Sequence, residues 1–324
     1  MSQLRLNPLA GRWVTISLDR AARPSAFTAR TLPVEADPDR PCPFCPGNEE
    51  ACPPALQVYG PEDAWKLRVV PNLYPAFEGK GSLSAIHVGP IFTEAPATGS
   101  HEVVVASPDH ETEWADLEPE QIDLAMLAIR DRFQAHVGQS GVRYTQAIIN
   151  HGREAGASVN HPHAQLLAMP FVPKGIADEE AGFERFAGGC VLCTTIEAEV
   201  STGHRLVIED DLVVAVAPYW SGSPFEMLIM PRTHESHLHR SAPEDLSAVG
   251  RALRTSLRRL RKVLGDIAYN VVIHAAPHHH DNLYHWHIHV IPKLTTVAGF
   301  ELGTGVLINV VPPEAAAIEL NRRT

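Results

Sequence analysis

Apolar residues in this chain fall into short runs separated by polar turns, and the order of those runs occurs twice. Glu102-Val-Val-Val-Ala106 and Glu226-Met-Leu-Ile-Met230 are brief apolar stretches of the kind that make buried strands. Each leads through a turn to a segment of helical period. Ile122, Met126, Ile129 and Phe133 recur at steps of three and four in the first, as do Leu246, Val249, Leu253, Leu257 and Leu260 in the second. Pro119 and Pro243 suit first helical turns, and Ser241 with Glu244 reads as a capping box. A further strand follows in each copy, Thr145–Ile149 and Tyr269–Ile273, then a histidine cluster and one more apolar run.

The repeat has a fixed offset. His110 lies over His234, 124 positions on, and at the same offset Glu102 meets Glu226, Pro119 meets Pro243, His161 meets His285 and His163 meets His287. The expected fold is α+β: two tandem units, each an antiparallel sheet with a packed helix. They divide into an N-terminal domain over 1–172 and a C-terminal domain over 173–324, with the acidic, glycine-containing stretch Pro173–Gly189 as the link. Residues 1–40 and 294–324 flank the repeat and read as loop-rich.

Composition narrows the function. With 324 residues and 44% hydrophobic content the chain has a sizeable core, and no run approaches the roughly 18 apolar residues of a membrane span. The N-terminus lacks an apolar run behind a basic start, so a cytoplasmic location without membrane attachment is expected. A formal charge of −11 argues against a nucleic acid partner, which calls for a basic surface.

Cysteine and histidine content points to metal. Four of the five cysteines form two Cys-x-x-Cys pairs, Cys42/Cys45 and Cys190/Cys193, and there are eighteen histidines. Thiolates and imidazoles are the donors of tetrahedral zinc. Cys42 and Cys45 with His110 and His161 make one set, and Cys190 and Cys193 with His234 and His285 make another; in both copies the histidines stand 51 residues apart. Two zinc ions per chain are expected. Cys52 has no partner in the pattern, and His237, His239 and the run His278-His279-His280 read as solvated loop residues.

The string from Asn150 to Gln165 carries the reaction chemistry. Histidines at i and i+2 of a strand share a face, so His161 can bind metal while His163 meets a substrate. Gly156 allows close backbone approach to a phosphate. Ser158, Asn150 and Gln165 add neutral donors, which suit charge developing on a transferring phosphoryl group. An imidazole attacks phosphorus at neutral pH, and the phosphoramidate formed can pass the group on. The competing role for His163, a further metal ligand, leaves these donors without a purpose.

Taken together, Arg20-Ala-Ala-Arg23-Pro24, Cys42-Pro-Phe-Cys45-Pro-Gly-Asn-Glu49, Pro71-Asn72-Leu-Tyr-Pro75, His101-Glu-Val-Val-Val105, Ser107-Pro-Asp-His110, Asn150 through Gln165 and Ala298 through Gly305 resemble the galactose-1-phosphate uridylyltransferases of the histidine-triad superfamily. The resemblance implies that His163 is nucleotidylated, that Gln165, Ser158 and Asn150 contact the phosphoryl group, and that Asn72 binds the nucleotide. It also implies that Arg20 and Arg23 hold phosphate across a homodimer interface and that Phe300 and Glu301 contact the hexose. The best-known bacterial members carry an iron site of one glutamate and three histidines in the second half. Here the second Cys/His set stands as a zinc site instead, as in a shorter branch that includes ADP-glucose phosphorylase, although iron is an alternative occupant. Spacing does not choose among Glu179, Glu180 and Glu184 as a further metal ligand, and the triad His285-Trp-His-Ile-His289 reads as structural.

The expected activity is therefore transfer of UMP from UDP-glucose to galactose 1-phosphate through a covalent nucleotidyl-histidine, with a sugar nucleotide and a sugar phosphate as partners. An ADP-glucose phosphorylase or other adenylyltransferase is the alternative within the same chemistry. A nucleotide hydrolase or nucleotide-binding sensor is the alternative outside it, and Gln165 in place of a third histidine argues against the hydrolase.

Overall fold

In a computed structural model of the chain, which describes residues 2–17, 41–280 and 283–322, the apolar runs become strands. The first half contains β1 (Gln3–Asn7), β2 (Arg12–Ile16), β3 (Gln57–Tyr59), β4 (Leu67–Pro71), β5 (Ile86–Val88), β6 (Phe92–Glu94), β7 (Ser100–Val105), α1 (Pro119–Val137), β8 (Tyr144–His151) and β9 (His163–Met169). Then come α2 (Lys174–Arg185), α3 (Val191–Thr202), β10 (Leu206–Glu209), β11 (Val213–Val216), β12 (Met227–Pro231), α4 (Pro243–Leu264), β13 (Tyr269–His274), β14 (His287–Pro292), α5 (Gly299–Thr304), β15 (Leu307–Asn309) and α6 (Pro313–Leu320).

Ten strands form one sheet in the order β10-β11-β12-β14-β13-β8-β9-β7-β4-β3. The pairings within it are antiparallel. The halves meet at β8 and β13, which are equivalent strands of the repeat. Ile148 pairs with Val272, its own counterpart at offset 124, while Ile149 pairs with Val271 and Ala147 with Ile273. That register is a local two-fold axis through the Ile148–Val272 pair. The repeat is thus a symmetric joint rather than two beads on a string.

The helical stripes pack as their period demands. Ile122, Met126, Ile129 and Phe133 of α1 and Leu246, Val249, Leu253, Leu257 and Leu260 of α4 are all buried in one core with Leu166, Ile149, Val271 and Ile288 of the sheet. α1 and α4 cross near the two-fold axis, where Met126 of one copy faces Gly250, its counterpart in the other. A Cβ on Gly250 would lie 2.7 Å from Met126 Cγ. Two large side chains cannot both occupy an axis, so the copies diverge there into a large and a small residue. The opposite face of the second half is covered by α2 and α3, whose Phe183, Leu192 and Ile196 pack on Val214, Leu228 and Tyr284. A smaller sheet of β1, β2 and β15 is tied to this half by Glu314, which accepts from Arg5 at 2.9 Å and Arg205 at 2.9 Å.

Three expectations need correction. The stretch Pro173–Gly189 is largely helical, forming α2, and its inward face includes Glu179 beside Ile176 and Phe183; a buried acid in the stripe hides the helical period. Neither flank is loop alone: residues 294–324 contain α5, β15 and α6, and the described part of 1–40 contains β1 and β2. The capping box at α4 does not form: Ala242 is the N-cap, Pro243 begins the helix, and the Ser241 hydroxyl, one position too early, has no partner among the described residues. Among the described residues, no helix is long and apolar enough to cross a membrane.

Restoring the repeat's symmetry should weaken it. Gly250→Met is expected to destabilise the protein by about 1–3 kcal/mol through overpacking, measured by urea unfolding; a neutral or stabilising result refutes the close crossing.

Candidate active site and metal centres

Both Cys/His sets assemble as the spacing anticipates. Cys42 Sγ lies 3.8 Å from His161 Nδ1, and Cys45 Sγ lies 3.4 Å from His110 Nδ1 and 3.7 Å from His161 Nδ1. In the second set Cys190 is 3.6 Å from His285 Nδ1, and Cys193 is 3.5 Å from both His234 Nδ1 and His285 Nδ1. Tetrahedral Zn–S and Zn–N bonds of about 2.3 and 2.0 Å place sulfur and nitrogen about 3.5 Å apart, so both sets have zinc dimensions.

Each set is held by the same outer bond. His161 Nε2 donates to Ser107 O at 2.7 Å and His285 Nε2 to Pro231 O at 3.0 Å, two carbonyls again related by 124. This fixes the tautomer that leaves Nδ1 free for a metal. Burial lowers the His161 pKa to about 4, which keeps the ring neutral. Burial and the neighbouring Cys42 push the Cys45 thiol up to about 11, so a cation between them is what favours the thiolate. Cys190 is the N-cap of α3, an end of a helix that favours negative charge.

A third donor cluster corrects the expectation that a second zinc set replaces the glutamate-and-three-histidine arrangement: the second half has both. Glu179, His274, His287 and His289 bring their donor atoms within 4.8 Å of one another. Glu179 accepts from His274 Nδ1 at 3.0 Å and from Tyr284 Oη at 2.5 Å. His287 Nδ1 donates to His285 O at 2.8 Å, and His289 Nδ1 faces Glu226 at 3.5 Å. Their Nε2 atoms are buried and have no hydrogen-bond partner among the described residues, and that of His287 lies 3.9 Å from Glu179 Oε2. His274 holds Glu179 ionised against the opposing effect of burial, while burial lowers His287 to about 3. An anionic pocket with orphaned imidazole nitrogens fits a cation. Of the triad read as structural, His285 belongs to the second Cys/His set, while His287 and His289 belong to this cluster. Glu179 is the acid that spacing could not choose, because it arrives on α2, outside the repeat.

At the first-half equivalent of that cluster stands His163. Its Nδ1 donates to His161 O at 2.7 Å, so Nε2 carries the free lone pair. Burial lowers its pKa, which maintains the neutral, nucleophilic ring. The Phe44 ring lies 5.3 Å away. Gln165, two residues on along β9, shares its face; its Oε1 accepts from His101 Nε2 at 2.9 Å. The tautomer of His101 follows from Ala76 N–H, which donates to Nδ1 at 3.2 Å. With Oε1 occupied, the Gln165 amide has only its NH2 to offer a ligand. Asn72 Nδ2 lies 3.2 Å from the same His101 nitrogen, and Asn72 Oδ1 accepts from Tyr74 N–H at 2.9 Å. His101 thus connects the Asn72 loop to Gln165, a role sequence reasoning missed because only pairing of β7 with β9 brings it there.

Other expected residues have mixed placements. Asn150 Oδ1 accepts from Asn270 Nδ2 at 2.8 Å, and Asn270 also donates to Ala155 O at 2.8 Å, pinning the loop that carries Gly156 at φ +88°. Asn150, Gly152, Ala157 and His163 line a common cavity of about 20 Å³. Ser158 is exposed beside it. Phe300 and Glu301 lie on α5, where Glu301 accepts from Ala298 N–H, and no hydrogen bond or ring contact joins either to His163 among the described residues. Arg20 and Arg23 lie outside the described residues.

His278 and His237 are buried, contrary to the solvated reading. Thr145 Oγ1 links His278 Nε2, at 2.9 Å, to His136 and onward to Glu102. Burial lowers His278 to about 3, so unfolding takes up its proton below the ordinary imidazole pKa of about 6.5. Stability is accordingly lost on acidification, by about 1.4 kcal/mol per pH unit for this one group. Urea unfolding at pH 6 and 5 should show that slope reduced in His278→Gln; an unchanged slope refutes the assignment.

Residues 1–173 match the family model "Galactose-1-phosphate uridyl transferase, N-terminal domain", and residues 201–296 match the HIT domain. The chain is 34% identical to ADP-glucose phosphorylase of Arabidopsis thaliana, covering 97% of this chain and 91% of that one. It is 28% identical to galactose-1-phosphate uridylyltransferase of Thermotoga maritima, covering 99% and 98%. A crystal structure of an ADP-glucose phosphorylase from A. thaliana with bound ADP-glucose superposes with a TM-score of 0.84 at 31% identity, covering 100% of this chain and 99% of that one. A structure of a uridylyltransferase gives 0.77 at 27%, covering 99% and 97%.

Proposed function

The chain belongs to the galactose-1-phosphate uridyl transferase family, and we propose that it moves a nucleoside monophosphate between a sugar nucleotide and a second phosphate through His163. The observation that carries this is the His163 Nδ1 bond to His161 O, which commits a buried neutral imidazole to present Nε2. Nε2 attacks the α-phosphorus of the sugar nucleotide. The bond from that phosphorus to the bridging oxygen breaks, and the sugar phosphate leaves. A phosphate oxygen of the acceptor then attacks the nucleotidyl-histidine, the P–N bond breaks, and the new nucleotide departs. Gln165 NH2, Ser158 and the Gly156 loop steady the charge on the phosphoryl oxygens. Cys42, Cys45, His110 and His161 would hold a zinc ion that would brace the strand entering His163. Cys190, Cys193, His234 and His285 would hold a second zinc, and Glu179, His274, His287 and His289 would hold zinc or iron, in the other half.

For the substrates, UMP transfer from UDP-glucose to galactose 1-phosphate is the first reading, supported by the uridylyltransferase relatives and by the Glu179 cluster. ADP-glucose with inorganic phosphate as acceptor is the second, favoured by the 34% identity to ADP-glucose phosphorylase. In either reading Arg20, Arg23, Phe300 and Glu301 serve the hexose phosphate, with a homodimer giving α5 of one subunit access to the site of the other.

Intact mass spectrometry after incubation with UDP-glucose or ADP-glucose, without acceptor, should detect a nucleotidyl adduct absent from His163→Ala. The added mass, UMP or AMP, decides between the readings, and an adduct that persists in His163→Ala removes His163 as the nucleophile. His101→Phe should slow adduct formation by about 10–100-fold through misorientation of Gln165, read by quenched flow; an unchanged rate denies His101 a positioning role.

A further inference from the structure

Beside the His163 pocket, on the helix-covered side of the sheet, three donors from three elements converge. Glu113 comes from the loop before α1, His151 ends β8, and Asp266 follows Gly265, the residue that stops α4. Their donor atoms lie within 4.8 Å of one another, with His151 Nε2 at 3.4 Å from Asp266 Oδ1. They line a cavity of about 10 Å³, room for a single water-sized body. Arg261 also reaches the cavity, but its guanidinium is engaged by Asp116, which accepts two bonds at 2.6 Å; it takes only Oε2 of Glu113, at 3.1 Å.

A second observation points to an occupant. Tyr269, paired with His151 across the β8–β13 seam, stacks on its ring at 4.7 Å and lines the same cavity. Tyr269 is only 6% exposed, and its buried hydroxyl has no hydrogen-bond partner among the described residues. A buried hydroxyl without a partner costs about 1–3 kcal/mol. Its phenolic hydroxyl can bond a coordinated water in that cavity.

We propose that Glu113, His151 and Asp266 bind a divalent first-row transition-metal ion, with Tyr269 Oη bonded to a water on that ion. Two carboxylates and an imidazole, without thiolate, suit Mn2+, Fe2+ or Zn2+ and distinguish this site from the sulfur sites. Glu113 and His151 also line the His163 cavity, so the ion sits in its wall. This assignment rests on the cluster's own geometry and stands apart from the transfer reaction.

The test is Mn2+ titration of the full zinc-loaded chain, followed by the loss of the free-ion electron paramagnetic resonance signal. The parent should take up one more Mn2+ per chain than Asp266→Asn or His151→Gln, whatever the Glu179 cluster also binds. The Asp266 side chain is 59% exposed, so its substitution leaves the fold in place, which melting in the absence of Mn2+ verifies. Tyr269→Phe should keep the stoichiometry and weaken Mn2+ binding about threefold to tenfold. Equal uptake by the parent and both ligand variants overturns the site, and unchanged affinity in Tyr269→Phe overturns the part given to its hydroxyl.

Discussion

The antiparallel seam between β8 and β13 is the constraint on which the rest of the molecule depends. Because Ile148 pairs with its own repeat counterpart Val272, everything attached to one strand is matched by something attached to the other. α1 and α4 must share one face and cross near the axis, and that crossing forces the divergence of Met126 and Gly250. The histidine strands β9 and β14 must lie immediately outside the seam, one on each side. Hydrogen bonding across the seam also joins both halves into a single ladder, so the core under α1 and α4 is continuous.

This symmetry places one backbone arrangement in two different surroundings. His163 and His287 are equivalent, and each donates Nδ1 to the carbonyl two residues earlier, leaving Nε2 on the same face. What surrounds that nitrogen differs. Around His163 stand neutral amides and a glycine loop, with Gln165 held by His101. Around His287 stand His289 in place of Gln165, His274 in place of Asn150, and Glu179 brought in by α2. A neutral imidazole among amides is suited to attack phosphorus; the same imidazole beside a buried carboxylate is suited to bind a cation.

Burial supports both outcomes. His161, His163 and His287 are all shifted towards the neutral form by desolvation, and neutral imidazole is the form that coordinates metal and attacks electrophiles. The outer hydrogen bonds to Ser107 and Pro231 then decide which nitrogen does so. Carbonyls at equivalent positions thus give the duplicated Cys/His sets one tautomer in common.

The repeat, the helical stripes, both Cys/His sets and the Asn150–Gln165 string were legible in the residues because each depends on local period or on a fixed offset. Strand alternation alone puts His163 and Gln165 on one side of β9, with His161 just before the strand begins. What could not be read depends on contacts between segments without a common period. Glu179 is one acid among three on an amphipathic stretch, and only packing of α2 against Tyr284 and His274 selects it. His101 meets Gln165 only through the register of β7 on β9. His278 reads as a solvated loop residue until Thr145 buries it. Sequence by itself determined the repeated unit and its donor types, since those follow from short-range periodicity; tertiary structure decided which donors meet, because convergence in space depends on strand register and helix docking that no local spacing encodes.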